Sequence, residues 1–195
     1  MESINIPASL KSIGEYAFQS CSNLKDIYIT DLEAWLNIEY GDDYCSHPDY
    51  YGTLHLLDAN GNEITELVIP TGITAIPDKA FKNFTTLTSV IIPESVTSIG
   101  AYAFYNCTGL TNIVLPTKVT SIGYQAFYNC QNLKNVYFCS PTPPTMGGDI
   151  FCLTWDYEDF SIYVPEEAYD LYMNIDDGGY WQSYALDNIR TWKVK

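Results

Sequence analysis

The chain has 195 residues, 47% of them hydrophobic, and a formal net charge of −15 at pH 7. This length and apolar content suffice to bury a core in one domain or one elongated stack. The negative charge argues against a nucleic-acid partner, because phosphate binding requires clustered Lys and Arg. No stretch approaches the roughly 20 apolar residues of a membrane-spanning helix, so we expect no membrane insertion. The first residues, MESINIP, contain neither the basic nor the apolar segment of a secretory signal.

The acidic residues are concentrated in two segments. Residues 31–63 contain eight Asp or Glu and no Lys or Arg, and residues 149–187 contain ten and none. Residues 64–148 contain three acidic and four basic residues. We interpret the two acidic segments as solvated parts that keep an apolar stack soluble, as terminal capping units do.

A tandem repeat dominates the middle of the chain. Residues 94–116 and 117–139 are adjacent blocks of 23 residues that match at 12 positions. A period of this length is typical of a solenoid, in which each unit buries its apolar face against its neighbours. The recognisable units begin at Ile6-Pro7, Ile69-Pro70, Ile92-Pro93 and Leu115-Pro116.

The residues before each Pro alternate as a strand requires. In LTNIVLP, Ile113 and Leu115 would point inward and Val114 outward, and the Pro ends the strand because it has no N–H. The predicted parallel strands are 25–29, 64–69, 87–92, 110–115 and 133–138. The stretch from SIG to AFYNC is too short for a crossover helix. It predicts a tight turn and one helical turn, with Phe104 and Phe127 as core plugs.

These units follow the pattern IP-x-S-V-x-S-I-G-x-x-A-F-x-x-C-x-x-L-x-x-I-x-I-P, which resembles the BspA-like leucine-rich repeat of bacterial cell-surface proteins. The resemblance implies a leucine-rich-repeat solenoid with a parallel sheet on its concave side and short turns and helical turns on its convex side. It implies an extracellular or cell-surface location, a role in adhesion or protein recognition, and no catalytic residue. The chain departs from the pattern at Pro77, Phe84 and Cys139.

We expect residues 1–195 to form a single leucine-rich-repeat domain. Its parts are a first repeat (1–29), an insertion (30–63), regular repeats (64–139) and a terminal repeat with a cap (140–195). In the insertion, Thr30 and Glu33 have the spacing of a capping box before a short helix. The alternating runs on either side of Asn60-Gly61 predict a β-hairpin, and the sequence leaves open whether its first run joins the solenoid sheet.

The terminal piece begins with the turn-rich stretch CSPTPPTMGGD, which breaks the period. A last strand is predicted over residues 161–165, and Pro165 is a favourable first residue for a short helix. The residues predicted to cover the final rung are Trp181, Tyr184, Leu186 and Ile189.

Six cysteines in a chain assigned to the cell surface suggest a disulfide framework. The repeat argues otherwise, because Cys21, Cys107 and Cys130 occupy equivalent inward positions, where a thiol acts as a small apolar group. Side chains on adjacent rungs run parallel instead of pointing at each other. We therefore predict reduced thiols.

The sequence offers little catalytic or metal-binding chemistry. The cluster from Cys45 through His47 to Asp49 is the one that could supply a nucleophile or a metal ligand, but no second ligand cluster has suitable spacing. We predict no enzyme activity, no metal and no cofactor. Calcium binding is the alternative for the acidic loops at 42–43, 156–159 and 176–178, none of which has the spacing of a calcium loop.

The outward positions of successive strands form a column on the predicted concave face. After Asn5 it contains Tyr28, Val68, Ile91, Val114, Tyr137 and Tyr163. Such residues suit strands in general, and they also suit an exposed binding patch. Both interpretations stay open. If the column binds a protein, Tyr137 should matter most, and as an outward residue it should matter little for folding.

Two functions of different classes follow. The first is a recognition or adhesion module that binds a protein, such as a host or matrix protein, or a glycan on the concave face. The second is a structural spacer within a larger surface protein, and a hydrolase is a distant third. The N-terminus opens inside a rung at Ile4-Asn5-Ile6-Pro7. We therefore expect upstream sequence to cover this end, or the end to associate with another molecule.

Overall fold

The computed structural model describes residues 1–41, 47–48, 52–151, 160–175 and 189–192. The chain forms a solenoid of about seven turns built on parallel strands, which confirms the predicted fold class. One turn of this solenoid is called a rung below. In chain order, the elements are β1 (Ser3–Ile6), β2 (Ser12–Ile13), β3 (Asp26–Ile29), α1 (Leu32–Leu36), β4 (Glu39–Tyr40), β5 (Thr53–Leu56), β6 (Glu66–Val68), β7 (Ala75–Ile76), β8 (Ser89–Ile91), β9 (Ser98–Ile99), β10 (Asn112–Leu115), β11 (Ser121–Ile122), β12 (Asn135–Phe138), β13 (Thr145–Met146), β14 (Ser161–Pro165), a 3₁₀ helix (Glu166–Ala168), α2 (Tyr169–Met173) and β15 (Ile189–Trp192).

The longer strands form the main parallel ladder. They pair as β1-β3-β5, β6-β8 and β10-β12-β14-β15. Val114 lies opposite Tyr137, and Tyr137 lies opposite Tyr163, so outward residues of successive rungs are neighbours. Each of the five predicted strand segments contains a strand of this ladder, and the predicted parallel direction is confirmed.

A second parallel ladder, which the sequence analysis did not predict, runs along the turns. Its two-residue strands pair as β2-β4 and as β13-β11-β9-β7. The helical turn predicted after these strands is wrong, because Tyr102 and Asn106 adopt left-handed backbone angles, with φ of 58° and 60°. The backbone N–H groups of Tyr102, Phe104 and Asn106 donate to carbonyl oxygens of the next rung at 2.8 to 2.9 Å. The intervening N–H groups of Ala103, Tyr105 and Cys107 donate to carbonyl oxygens three residues earlier, so the turn satisfies its backbone alternately within itself and with the next rung.

An asparagine ladder follows the same turns. Asn129 Nδ2 donates to Asn106 Oδ1 at 2.7 Å, and Asn106 Nδ2 donates to Asn83 Oδ1 at 2.9 Å. All three residues have left-handed φ angles near 60°. Asn tolerates this conformation better than most residues, so one residue type serves both the backbone and the ladder.

The core contains a column of phenylalanine rings, one from each regular rung. Phe81, Phe104, Phe127 and Phe151 are fully buried, and successive ring centroids lie 5.2, 5.2 and 5.8 Å apart. The predicted plugs Phe104 and Phe127 are thereby confirmed. Inward strand residues such as Ile113 complete the packing. Replacing one of these rings by Ala would cost about 3–5 kcal/mol.

The insertion contributes a rung of its own. Strand β4 pairs with β2, and β5 pairs with β3, so residues 30–63 supply both ladders. The parallel pairing of β5 buries Leu54 and Leu56 in the core. Hydrophobic burial therefore answers the question that the sequence left open, since the first run joins the sheet.

The predicted hairpin around Asn60-Gly61 is wrong as a pairing of two strands, because β5 and β6 belong to separate parallel sheets. One antiparallel bridge, between Leu57 and Glu63, joins the two runs in the part of the chain that the structure describes. Gly61 closes the turn with a φ of 82°. A two-stranded hairpin is marginally stable alone, and pairing with neighbouring rungs buries more apolar surface.

Helix α1 begins one residue later than the capping-box spacing predicts. The N-cap is Asp31, whose Oδ1 accepts a hydrogen bond from the Ala34 N–H at 2.9 Å, and Thr30 lies outside the helix. Trp35 is buried, and its Nε1–H donates to the Ala80 carbonyl oxygen at 2.7 Å. This bond connects the insertion to the turn of the next regular rung.

The terminal piece continues the ladder. Strand β14 covers the predicted segment and includes Pro165, after which the 3₁₀ helix and α2 follow directly. The Tyr172 side chain is buried, and its hydroxyl donates to the Ser140 carbonyl oxygen at 3.1 Å. Ile189 pairs with Ile162 in a further parallel strand. The other residues predicted to cover this end, Trp181, Tyr184 and Leu186, lie outside the described residues.

The described cysteines Cys21, Cys107, Cys130 and Cys139 are free thiols, and Cys45 and Cys152 lie outside the described residues. In the core, Cys107 Sγ donates to the Phe81 carbonyl oxygen and Cys130 Sγ to the Phe104 carbonyl oxygen, each at 3.1 Å. Burial raises the pKa of the Cys130 thiol to about 12 and holds the pKa of Cys107 well above its ordinary value. Both groups therefore act as neutral core residues.

The glycine of the SIG motif is required by the close stacking of rungs. A Cβ added at Gly123 would overlap the backbone nitrogen of Ala101 in the preceding rung, and Gly100 and Gly147 are in equivalent positions. Gly41 has the same role in the insertion, where an added Cβ would lie 2.6 Å from the Glu15 backbone nitrogen. In contrast, Gly14 in the first rung has no atom within 4 Å of its Cβ position.

Gly123→Ala should therefore destabilise the protein by about 1–3 kcal/mol, because the added methyl forces two rungs apart. Urea unfolding followed by circular dichroism would measure this loss. Gly14→Ala is the matched control and should change stability by less than about 1 kcal/mol. Equal losses in the two variants would contradict the stacking argument.

The core thiols should make stability fall at alkaline pH. Cys130 and Cys107 bind their protons more tightly in the folded than in the unfolded chain, so the unfolded chain loses protons first as pH rises above 9.0. Stability from these groups is present below that pH and is lost towards pH 12. Cys130→Ala should lose less stability between about pH 8 and about pH 10 than wild type does. The partly buried Cys21→Ala is the control, and identical pH slopes for wild type and Cys130→Ala would contradict this prediction.

Candidate functional site

Three exposed β-branched residues project from neighbouring rungs of the main ladder. The exposed fractions of Val68, Ile91 and Val114 are 61%, 63% and 46%. Strand pairing places Val68 directly beside Ile91, and β10 follows β8 in the stack. These three residues are called the apolar stripe. They are half of the predicted column and its most accessible part.

The aromatic end of the predicted column is packed more tightly than the sequence indicates. Tyr137 and Tyr163 are half-buried, with ring centroids 4.6 Å apart and planes 12° apart. Trp192 lies 5.2 Å from Tyr137 in an edge-on arrangement, and its Nε1–H donates to the Phe138 carbonyl oxygen at 3.2 Å. Tyr137, Tyr163 and Trp192 are called the aromatic cluster.

The aromatic cluster changes what is expected of Tyr137. Loss of its ring would remove two aromatic contacts, which contribute about 0.5–1.5 kcal/mol beyond the buried area. A variant at Tyr137 would therefore alter stability as well as any binding. Sequence reasoning missed Trp192 because the strand that holds it, Ile189–Trp192, has neither the repeat motif nor a clear alternation of apolar and polar residues.

Polar side chains lie beside the stripe and the cluster. Asn112, Asn135 and Ser161 are neighbours in the ladder register, on the same outward face as the column. Asn135 Nδ2 donates to Asn112 Oδ1 at 2.6 Å. The face thus combines apolar and aromatic groups with amide and hydroxyl groups, a composition common at protein-binding surfaces.

His55 interrupts the column and was missed in the sequence analysis. It lies opposite Tyr28 in the ladder, and the two rings stack at 4.9 Å. Its Nδ1 is 2.9 Å from Glu63 Oε1, and its Nε2 is 3.1 Å from Asp26 Oδ1. Both ring nitrogens donate only when the imidazole is protonated. The alternation of buried Leu54 and Leu56 around it was the signal that could have placed His55 on this face.

Glu63 connects this histidine to the next block of the ladder. Thr86 Oγ1 donates to Glu63 Oε1 at 2.6 Å, so Asp26, His55, Glu63 and Thr86 form a chain of contacts across the joint between β5 and β6. Partial burial pushes the pKa of the Glu63 carboxyl upward, but hydrogen bonds from Thr86 and His55 outweigh this effect and lower it overall. The joint is therefore held by side chains where the strand ladder is interrupted.

The predicted column is thus divided. Tyr28 stacks on His55 at one end, the apolar stripe occupies the middle, and the aromatic cluster holds Tyr137 and Tyr163 at the other end. The break between the β1-β3-β5 and β6-β8 sheets falls between the first two parts.

His47, the histidine of the predicted cluster, is buried among aromatic side chains. His47 is 3% exposed, and its ring packs 4.5 Å from Tyr40 and 5.5 Å from Trp35. Cys45, Asp49 and the acidic loops at 42–43, 156–159 and 176–178 lie outside the described residues. Within the described ranges, His, Cys, Asp and Glu side chains nowhere gather in a group of three or more that could hold a metal ion.

No helix in the described part of the chain has both the length and the apolar character needed to span a lipid bilayer.

Comparison with protein families gives one match. The family described as BspA type leucine-rich repeat region matches residues 1–40 and 59–172, with six copies of the repeat. No match was found among proteins with curated descriptions. The unmatched residues between the two ranges belong to the insertion, where the repeat motif is absent.

Solved structures of leucine-rich repeat proteins resemble the chain. A leucine-rich repeat protein from Eubacterium ventriosum is 22% identical over 84% of this chain and 47% of its own, with a TM-score of 0.50. One from Bacteroides ovatus is 23% identical over 100% and 42%, with a TM-score of 0.48. A leucine-rich cell surface protein from Faecalibacterium prausnitzii is 29% identical over 74% and 40%, with a TM-score of 0.46. The chain spans less than half the length of each. At 22% identity, the likeness to the Eubacterium ventriosum protein concerns the fold alone.

Glu63→Gln should weaken the joint and flatten the acid dependence of stability. Because the folded pKa of Glu63 is lowered below 4.5, its contribution is present above that pH and is lost as pH falls through the folded value. We expect a loss on the order of 0.5–1 kcal/mol near neutral pH, which disappears in acid. Urea unfolding at neutral pH and again in acid, below the folded pKa of Glu63, measures this loss. The exposed Glu39→Gln is the charge-matched control, and equal behaviour of the two variants would contradict this role for Glu63.

Proposed function

Because the chain belongs to the BspA type leucine-rich repeat family, we propose that it is a non-catalytic recognition or adhesion module of a bacterial cell surface. Its partner is a protein, such as a host or matrix protein, or a glycan. The binding face is the outward face of the main ladder, where the apolar stripe and the aromatic cluster lie. The cell-surface location rests on the family, whose members are typically surface proteins.

The exposure of the apolar stripe is the observation that carries this proposal. Val68 and Ile91 are apolar although more than half of each residue faces water. Strand propensity alone does not require this, because the β-branched hydroxyl residue Thr suits a strand equally well. Contiguous exposed apolar residues rimmed by polar groups are typical of interaction sites. Val114 extends the stripe towards Tyr137, so an apolar centre continues into aromatic residues of the type enriched at binding hot spots.

A spacer within a larger surface protein is the alternative, and the aromatic cluster favours it. The rings of the aromatic cluster pack against one another, so this end of the column stabilises the ladder. A spacer needs only this cohesion. The two functions therefore differ in what they require of the exposed stripe.

Ile91→Ser should reduce affinity about 5- to 30-fold for any partner captured on an array of purified matrix proteins and glycans, because it removes the centre of the stripe. Its stability should change by less than about 1 kcal/mol, since the residue is exposed. Binding is measured by surface plasmon resonance, and stability by thermal unfolding of the same samples.

Leu171→Ser is the matched control, because Leu171 is an exposed apolar residue of α2, away from the stripe. It should leave affinity unchanged. Equal binding by wild type and Ile91→Ser to every confirmed partner would favour the spacer function.

A further inference from the structure

A cavity of about 360 Å³ opens where the main ladder is interrupted between β5 and β6. Its size is in the range of small ligand pockets, which begin at about 300 Å³. The ten lining residues come from the start of α1, the end of β5, the following turn, and β6, and they include Leu56, Asp58, Ala59, Glu66, Leu67 and Val68. The cavity is called the joint groove.

The joint groove has an apolar floor and an acidic rim. Leu56 and Leu67 are buried, whereas Ala59 and Glu66 are exposed at its edge. Asp58 and Glu66 are its charged residues, and none of the ten lining residues is Lys or Arg. An apolar group that enters the groove therefore lies close to negative charge.

One wall of the groove is a turn held by its own hydrogen bonds. Asp58 Oδ1 accepts hydrogen bonds from the backbone N–H groups of Asn60 and Asn62, each at 2.8 Å. Hydrogen bonds from the backbone N–H and the Nδ2 of Asn62, and to a smaller extent from Asn60, lower the pKa of the Asp58 carboxyl, so the rim keeps its negative charge near neutral pH. Glu63 fixes the far side of the same turn through His55 and Thr86. A preformed wall reduces the ordering cost of binding.

The groove leads into the apolar stripe. Val68 lines the groove and is also the first residue of the stripe, followed by Ile91 and Val114. The apolar path therefore continues from a concave pocket onto the outward face of the ladder. A partner that uses both needs an apolar anchor for the pocket and an extended segment for the stripe.

We propose that the joint groove docks a short extended segment of a partner protein in which an apolar side chain is flanked by Lys or Arg. The apolar side chain fills the pocket, and the flanking cations lie against Asp58 and Glu66. This inference rests on the proposed function, since it defines the protein partner of the same face. Charge complementarity selects this occupant, because an acidic segment would meet two carboxylates and no cation.

Two capped pentapeptides test the proposal with the whole chain. The first is Lys-Val-Leu-Val-Lys, and the second, Glu-Val-Leu-Val-Glu, has the same apolar centre with opposite charge. In ¹⁵N-resolved NMR titrations, the basic peptide should shift the amide signals of Leu57, Ala59, Glu66 and Val68 saturably. The acidic peptide should bind at least about tenfold more weakly. Equal affinities, or saturable shifts confined to another region, would overturn the inference.

Two variants at exposed positions keep the test independent of folding. Ala59→Trp fills the pocket, and Glu66→Lys reverses the rim charge. Each should weaken the basic peptide at least about tenfold, while Glu66→Lys should strengthen the acidic peptide. Glu39→Lys is the control for net charge, since Glu39 is exposed on β4 and does not line the groove. Unchanged binding of the basic peptide by Ala59→Trp would sink the pocket assignment.

The two proposals can fail separately. If partners from the array lose affinity in Ile91→Ser while neither peptide binds the groove, the outward face binds protein but this inference is wrong. If the basic peptide binds as described and the array partners bind Ile91→Ser with wild-type affinity, the groove is a binding site. The assignment of the stripe as the main binding face is then wrong.

Discussion

The fold depends on hydrogen bonds that pass from one rung to the next. Both ladders are parallel, and even the turns donate their N–H groups to carbonyl oxygens of the neighbouring rung, as Phe104 does to Ala126. Each rung must therefore approach its neighbour at strand-pairing distance along its whole length. The phenylalanine column, the asparagine ladder and the glycines of the SIG motif all follow from this spacing. A larger residue at Gly123 would force its rung away from the preceding one. Asn106 bonds to both neighbouring rungs, to one through its backbone N–H and to the other through its side chain.

The irregular rung shows what happens where this spacing is lost. The parallel pairing of the main ladder stops between β5 and β6, where one antiparallel bridge and several side-chain contacts replace it. Trp35 donates across the core side to Ala80, while Glu63 links His55 to Thr86 on the outward side. The groove that remains is concave, with an apolar floor and an acidic rim. Regular rungs present a repeating surface, whereas this interruption creates a distinct shape on which recognition can depend.

Charge and exposure make the two ends of the outward face unequal. Near the joint, exposed Val68 lies beside the carboxylates of Asp58 and Glu66, which favours a partner with cationic residues. At the other end, Tyr137 and Tyr163 are partly covered by each other and by Trp192, which favours cohesion of the terminal rungs. The apolar stripe joins the two regions. Stability and recognition are thus served by different residues of what the sequence presents as one column.

The sequence by itself determined the solenoid, because the 23-residue period and the alternation before each Pro fix which residues face inward. Ile113, Leu115 and Phe104 were placed correctly for this reason, and the direction of the strands followed from the same period. Where the period is absent, local patterns were misleading. The run before Asn60-Gly61 has the local signature of a hairpin, but pairing with β3 buries Leu54 and Leu56 and therefore prevails.

Only the tertiary structure decided the features that depend on contacts between distant residues. The residues around Tyr102 do not predict its left-handed backbone angle. That angle is stabilised by a hydrogen bond from the Tyr102 N–H to the Tyr124 carbonyl oxygen in the next rung. His55 meets Asp26 and Glu63 only because the insertion becomes a rung, and the groove exists only because that rung ends the ladder. A repeat predicts the features that every rung shares, such as the inward residues and the strand direction, because the same sequence pattern recurs in each copy. What is singular in the protein arises between rungs that differ, and it is settled by packing and charge in three dimensions.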